Sequence, residues 1–165
     1  MKDLMIYLKT TETCNLNCSH CFTNGISGRK IYFNPEKTIT WFKNLHKVFP
    51  KIDMPHIEFH GGEPFLAPVS HMQKIVDEVG KLYPNMSFGT TTNLVYKLTD
   101  DKLEFMTNSL NKRIGTSWDP KIRFANEKQR QLWEDNVKLL ISKGFTIKMF
   151  VSMSRDVTQM DPLEI

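Results

Sequence analysis

The chain has 165 residues, a hydrophobic content of 40%, a charged content of 24% and a formal net charge of +4. These values are ordinary for a single globular domain, and no apolar run approaches the ~20 residues of a membrane-spanning helix. The first residues, from Met1 to Tyr7, include an acid and no long apolar region, so we expect no signal peptide and no membrane partner. The weak positive charge gives no reason to expect a nucleic-acid partner.

Strand and helix patterns alternate five times along the chain. Strands are predicted near residues 4–9, 56–60, 86–91, 113–117 and 146–152. Helices are predicted near 35–49, 69–82, 99–108 and 127–142, and a further helix begins near 157. The first apolar run shows little alternation, which is typical of a strand buried on both faces.

Repeated βα units predict an α/β fold with a parallel sheet, in one domain over residues 1–165. Right-handed crossovers curl such a sheet toward a barrel, and a complete eight-unit barrel usually needs about 250 residues. We therefore expect a partial barrel of five to six units. The chain is then either truncated relative to a longer protein or a complete minimal one.

All three cysteines lie in one stretch, Cys14-Asn-Leu-Asn-Cys18-Ser-His-Cys21, directly after the first predicted strand. Three cysteines cannot all pair in disulfides, which leaves a zinc site or an iron–sulfur cluster. Zinc would need a fourth ligand, from His20 or His60. A [4Fe–4S] cluster would leave one iron open to a small molecule. Clustered free thiols also favour a reducing compartment, so we expect a cytoplasmic protein.

Polar motifs follow every predicted strand at its carboxyl end, where the active sites of parallel α/β folds lie. Beyond the cysteine stretch they are Gly61-Gly62-Glu63-Pro64, Thr91-Thr92-Asn93, Ser117 with Asp119, and Ser152 with Ser154. The sequence therefore predicts one site, built from five strand ends.

The spacing C-x3-C-x2-C, together with Gly61-Gly62-Glu63-Pro64, resembles the radical S-adenosylmethionine (SAM) enzymes. The resemblance implies that Cys14, Cys18 and Cys21 ligate a [4Fe–4S] cluster whose open iron is chelated by SAM. Reductive cleavage of SAM then gives a 5′-deoxyadenosyl radical, which abstracts hydrogen from a substrate. It also implies that the glycine motif receives the SAM amino group. The alternative function is a non-catalytic zinc-binding interaction module.

The segment from Ser117-Trp-Asp119-Pro through Arg130 to a helix ending at Gly144 resembles the peptide- and protein-modifying subfamily, which includes the anaerobic sulfatase-maturating enzymes. The resemblance places Ser117 at the ribose or methionine part of SAM and Arg130 at its carboxylate. The chain has Asn126-Glu127 where that subfamily has His-Asp, and Trp118-Asp119-Pro120 where it often has Leu-Asp-Gly.

The resemblance also implies the rest of the cofactor shell and the partners. His20 or Phe22 is expected against the adenine ring, and Thr91 or Asn93 at the ribose hydroxyls. The partners implied are an electron donor of the flavodoxin or ferredoxin type and a peptide or small-molecule substrate. The residue pattern singles out no catalytic acid or base. The complete set of expected cofactor-binding residues is His20, Phe22, Gly61, Gly62, Glu63, Pro64, Thr91, Asn93, Ser117, Asp119, Arg130 and Ser152.

Overall fold

Five parallel strands and four helices alternate along the chain in a computed structural model that describes residues 3–21, 23–50, 53–119, 122–153, 155, 157–159 and 161. The strands are β1 (Asp3–Thr11), β2 (Asp53–Gly61), β3 (Ser87–Thr90), β4 (Arg113–Ser117) and β5 (Thr146–Phe150). The helices are α1 (Pro35–Val48), α2 (Val69–Leu82), α3 (Asp100–Asn108) and α4 (Glu127–Ser142). Short 3₁₀ helices cover Gly25–Ser27, Pro64–Leu66 and Val157–Gln159.

The strands lie side by side in sequential order. Strands β1, β2 and β3 form one parallel sheet, and β4 and β5 form a second. A parallel bridge between Thr91 and Gly115 joins the two sheets, where the Thr92 amide donates to the Gly115 carbonyl at 2.9 Å. The α/β prediction with parallel strands is confirmed, and the sheet does not close within the described residues.

Helix ends follow the local chemistry of the sequence. The Asn34 side chain accepts a hydrogen bond from the Lys37 amide at 2.9 Å and so caps α1, which begins at Pro35. Gly144 has a φ of +79° just after α4, the left-handed conformation that favours glycine at a helix end. In the part of the chain that the structure describes, no helix is long and apolar enough to cross a membrane.

The predicted helix near residue 157 is seen only as the 3₁₀ turn Val157–Gln159, because residues 160 and 162–165 lie outside the described part of the chain. One hydrophobic core joins the helices to the sheet. Its largest buried side chains include Phe42, Phe59 and Phe105. Burying each such side chain stabilises the fold by about 1.5–3 kcal/mol.

The prediction that β1 is buried on both faces is wrong. Leu4, Ile6 and Leu8 pack against the core, but Met5 is 48% exposed and Tyr7 is 64% exposed. The reason is the open sheet, whose concave face borders a cavity of about 870 Å³. We call this space the concave cavity. Strand β1 therefore alternates between a core face and a cavity face.

Candidate functional site

A second cavity, of about 270 Å³, lies at the carboxyl ends of the strands, and we call it the strand-end pocket. It brings together residues that are up to 138 positions apart, from Cys14 to Ser152. Eleven of the expected site residues line it: Cys14, Cys18, His20, Cys21, Gly61, Gly62, Glu63, Thr91, Asn93, Ser117 and Ser152. Residues that follow each of the five strands therefore line one pocket, as the sequence predicted.

The cysteine loop and the glycine motif are packed backbone to backbone. The Gly62 amide donates to the Thr11 carbonyl at 3.1 Å, and the Glu63 amide donates to the Thr13 carbonyl at 2.9 Å. A Cβ atom on Gly62 would lie 2.1 Å from the Thr13 oxygen. Only glycine fits at this position, because any side chain would push the two loops apart.

Polar groups surround the thiols of the cysteine loop. The Leu16 amide and the Asn93 side chain donate to the Cys14 sulfur at 3.4 and 3.5 Å. The sulfur of Cys21 lies 3.1 Å from the Thr23 hydroxyl. All three cysteines are free. Donors aimed at sulfur stabilise the thiolate form, which is the form that binds metal.

Burial and hydrogen bonding act in opposite directions on the three thiols. Burial raises the pKa of Cys14 and of Cys18. Burial would also raise the pKa of Cys21, but hydrogen bonds from the Thr23 side chain and from three backbone amides outweigh it and lower that pKa. A bound cation would supply the charge that Cys14 and Cys18 need to ionise.

The donor set is three free thiols on one short loop, which suits a [4Fe–4S] cluster with one open iron. Within the described ranges, no three His, Cys, Asp or Glu side chains form a group that could hold one metal ion. His20 lies 3.5 Å from the Asp119 carboxylate. In a [4Fe–4S] cluster each thiolate binds a different iron, so the thiols border a pocket rather than converge on one point. The zinc alternative gains no support from this arrangement.

Glu63 lies in the pocket wall with its carboxylate already engaged by the protein. It is 1% exposed, and it accepts hydrogen bonds from the Thr92 hydroxyl at 2.7 Å and from the Phe65 and Asn93 amides at 3.0 and 2.7 Å. Burial raises its pKa to about 7, although these bonds oppose the shift. The side chain therefore ties the glycine motif to the loop after β3.

Asp119 has a similar linking role at the ends of β4 and β5. It is fully buried, and it accepts bonds from Arg123 Nε and Nη2 at 3.1 and 2.8 Å and from the Ser152 amide at 2.8 Å. Burial would raise the pKa of Asp119, but the bonds from Arg123 and Ser152 hold it below its usual range. Asp119 is not part of the pocket lining, and the cofactor contact that the resemblance implies for it stays a prediction.

Arg130 does not lie in the strand-end pocket, contrary to the sequence prediction. It sits in the first turns of α4, where it pairs with Glu127 and Glu134 of the same helix, and its side chain is 40% exposed. The arginine that lines the pocket is Arg123, whose side chain is only 11% exposed. Its carbonyl oxygen also lies 3.8 Å from the Cys18 sulfur.

The remaining predicted residues have distinct surroundings. The Asn93 side chain donates to the Asn15 side chain at 2.8 Å, and the Thr91 hydroxyl donates to Glu58 at 2.9 Å. Pro64 is buried at the start of its 3₁₀ helix and does not line the pocket. The predictions for Phe22 and Ser154 lie outside the described residues.

Sequence reasoning missed Arg123 and Thr23. Arg123 follows Asp119 by four positions, and this acid–arginine spacing was the one available signal for it. Thr23 gave none, because a threonine in a polar loop is unremarkable until its neighbours are known.

A family profile described as "4Fe-4S single cluster domain" matches residues 5–148. The chain belongs to this family. With the relatives below, the match confirms the prediction of a radical SAM superfamily protein with a [4Fe–4S] cluster.

The relatives of this 4Fe-4S domain are longer proteins. The chain is 31% identical over 120 residues to an uncharacterized protein of Methanocaldococcus jannaschii, covering 72% of this chain and 39% of the relative. It is 24% identical over 116 residues to the GTP 3′,8-cyclase of Aquifex aeolicus, covering 68% and 34%. The chain thus spans well under half the length of the relatives it matches.

Solved structures share the fold of this domain. Native anSMEcpe with bound AdoMet (SAM) matches with a TM-score of 0.68 and 20% identity, over 89% of this chain and 43% of the other. The same protein with AdoMet and Cp18Cys peptide matches with a TM-score of 0.66 and 22% identity, over 89% and 42%. These matches support the α/β arrangement of parallel strands.

Proposed function

We propose that this chain is the core of a radical SAM enzyme in which Cys14, Cys18 and Cys21 hold the [4Fe–4S] cluster. The bound cluster would supply the electron that cleaves SAM to a 5′-deoxyadenosyl radical, which abstracts hydrogen from a substrate. The observation that carries the proposal is that three free thiols, a glycine motif and an arginine line one pocket at the strand ends. A partial barrel of five to six units would form the radical SAM core over residues 1–165.

The chain's own groups suit the functional groups of SAM. Gly61 and Gly62 line the pocket, and because they have no side chains their carbonyl oxygens are accessible to the ammonium group of SAM. Ser117, Asn93 and Ser152 offer hydrogen bonds to ribose hydroxyls. Adenine would lie against the pocket wall near His20.

We assign to Arg123 the role of binding the SAM carboxylate, which the family resemblance implied for Arg130. A guanidinium matches a carboxylate with two parallel hydrogen bonds, and this one faces the pocket from a nearly buried position. Asp119 accepts from Nε and from one N–H of Nη2 of Arg123, which leaves the edge formed by Nη1 and the second N–H of Nη2 for a ligand. Asp119 would therefore hold the guanidinium in a fixed orientation toward SAM.

The substrate would be a peptide, a protein or a small molecule, and the electron donor a flavodoxin or ferredoxin type protein. The Cp18Cys peptide bound to anSMEcpe supports a peptide, and the name of the Aquifex aeolicus relative supports a small molecule. The cytoplasmic location suggested by the free thiols stays a prediction.

The test is reductive cleavage of SAM by anaerobically reconstituted protein with dithionite. We expect brown protein that forms 5′-deoxyadenosine, and no 5′-deoxyadenosine from Cys14→Ala, Cys18→Ala or Cys21→Ala. Ser19→Ala, in the same loop, serves as the matched control and should retain the activity. Unchanged cleavage by a cysteine variant would remove that cysteine from the ligand set, and colourless zinc-loaded parent protein would return the zinc module to first place.

A further inference from the structure

The concave cavity meets the strand-end pocket at three residues. His60, Thr91 and Ser117 line both spaces, so a molecule in the concave cavity would have direct access to the proposed SAM position. The volume of about 870 Å³ falls within the usual range for small-molecule sites. The chemistry of the walls then decides what the cavity accepts.

The β2–β3 wall carries a hydrogen-bonded group in which every partner is satisfied. His56 Nε2 lies 2.9 Å from Glu58 Oε2, His56 Nδ1 lies 2.9 Å from Ser87 Oγ, and the Thr91 hydroxyl donates to Glu58 Oε1 at 2.9 Å. A Cβ atom on Gly89 would lie 2.5 Å from Glu58 Oε2, so glycine makes room for the group. Among the described residues that line the cavity, Glu58 is the only carboxylate, and it is therefore already occupied.

The β4–β5 wall carries two cations, Arg113 and Lys148. They occupy diagonal positions on paired strands, since Gly115 is the strand partner of Lys148 and lies two residues after Arg113. Among the described residues, no carboxylate forms a salt bridge with either cation. By contrast, Arg29, Arg123 and Arg130 each pair with an acid.

Both cations are exposed side chains on the cavity wall. The Lys148 ammonium lies 5.1 Å from the centre of the Phe150 ring. A Cβ atom on Gly115 would lie 2.8 Å from the Phe150 ring, so glycine again provides the space. Two unpaired cations in a concave surface concentrate anions.

We propose that the concave cavity binds the substrate through an anionic group, a carboxylate or a phosphate, held by Arg113 and Lys148. The rest of the substrate would extend toward His60, Thr91 and Ser117, where the cavity meets the strand-end pocket. This inference rests on the proposed function, because it takes the bound molecule to be the substrate of the radical SAM reaction. Binding of that molecule can nevertheless be measured without any turnover.

The experiment measures binding to the anaerobically reconstituted, SAM-loaded protein by equilibrium dialysis with two matched pairs of probes. The first pair is GTP and guanosine. The second is a pentapeptide with a free carboxyl terminus and the same peptide with an amidated terminus. We expect the anionic member of one pair to bind at least tenfold more tightly than its neutral partner, and the pair that responds distinguishes phosphate from carboxylate.

Variants then locate the binding. Arg113→Gln and Lys148→Gln should each weaken the anion about ten- to a hundredfold, the usual effect of losing a charge-assisted hydrogen bond. Lys138→Gln, on the exposed face of α4 where Lys138 faces Glu134, should leave the affinity unchanged. Equal binding of anionic and neutral probes, an affinity that survives both substitutions, or no binding of either anion would each overturn the inference. Cleavage of SAM by the parent protein is scored separately, so its loss would count against the proposed function alone.

Discussion

Replacing Asp119 by Asn tests whether the buried pair with Arg123 organises the strand-end pocket. The substitution keeps the size of the side chain and removes its charge. Asp119 is fully buried and the Arg123 side chain is only 11% exposed, so the guanidinium would lose the buried carboxylate with which it forms a salt bridge. Removing one partner of a buried ion pair costs about 3–5 kcal/mol, because the other charge stays uncompensated.

A double-mutant cycle isolates this interaction. Asp119→Asn and Arg123→Gln should each lower the free energy of unfolding. The loss in the double variant should be smaller than the sum of the two single losses by a coupling energy of about 1.5–3 kcal/mol. The measurement is urea unfolding followed by tryptophan fluorescence and circular dichroism. The loss of about 3–5 kcal/mol expected from a single substitution is a large part of a typical free energy of unfolding, which is about 5–15 kcal/mol.

The matched control is the exposed pair of Glu127 and Arg130, whose side chains are 68% and 40% exposed. The same cycle with Glu127→Gln and Arg130→Gln should give a coupling of about 0–1 kcal/mol, since solvent screens surface pairs. If the two cycles gave the same coupling, the buried pair would have no special role and the reasoning about Arg123 would be refuted.

Three further predictions use other contacts. Gly62→Ala should destabilise the chain and lower its iron content after reconstitution, because the added methyl collides with backbone. Gly80→Ala on α2, where the added methyl makes an ordinary contact of 3.9 Å with the Phe88 ring, should be neutral or stabilising by up to about 1 kcal/mol in the same assays. Burial raises the pKa of Glu63 from 4.5 to about 7, so the folded chain binds this proton more tightly than the unfolded chain. The contribution of the protonated Glu63 to the free energy of unfolding should then be fully present below pH 4.5 and fall by about 3 kcal/mol as the pH rises to 7. Glu63→Gln should remove this pH dependence between pH 4.5 and 7 in a urea-unfolding series. Arg123→Ala should weaken SAM binding about ten- to a hundredfold in equilibrium dialysis, and Arg130→Ala should not. If Arg130→Ala showed this loss and Arg123→Ala did not, the assignment of the two arginines would be reversed.

The order and direction of the strands could be predicted because local patterns determine them. Apolar runs, Asn34 as a cap and Gly144 as a helix end each act through neighbouring residues, and each is present in the structure. The exposed face of β1 could not be predicted in the same way. Whether Tyr7 faces core or cavity depends on whether the sheet closes, and no local pattern reports that.

The site was predictable where the chemistry needs one residue type. Cysteine thiolates and paired glycines have few substitutes, and Cys14, Cys18, Cys21 and Gly62 all line the strand-end pocket. The sequence alone does not decide which arginine would meet the SAM carboxylate, because many positions in a turn and early helix present a cation. Burial distinguishes Arg123, which pairs with the fully buried Asp119 and lines the pocket, from the 40% exposed Arg130, which pairs along its own helix.

The central claim, that Cys14, Cys18 and Cys21 hold a [4Fe–4S] cluster whose open iron binds SAM, is tested most directly by magnetic resonance of the reduced, reconstituted protein. SAM labelled with ¹⁵N at its amino group should change the electron paramagnetic resonance spectrum of the cluster and give a resolved nitrogen coupling in electron–nuclear double resonance. A spectrum that is unchanged by SAM and shows no ¹⁵N coupling would contradict the claim.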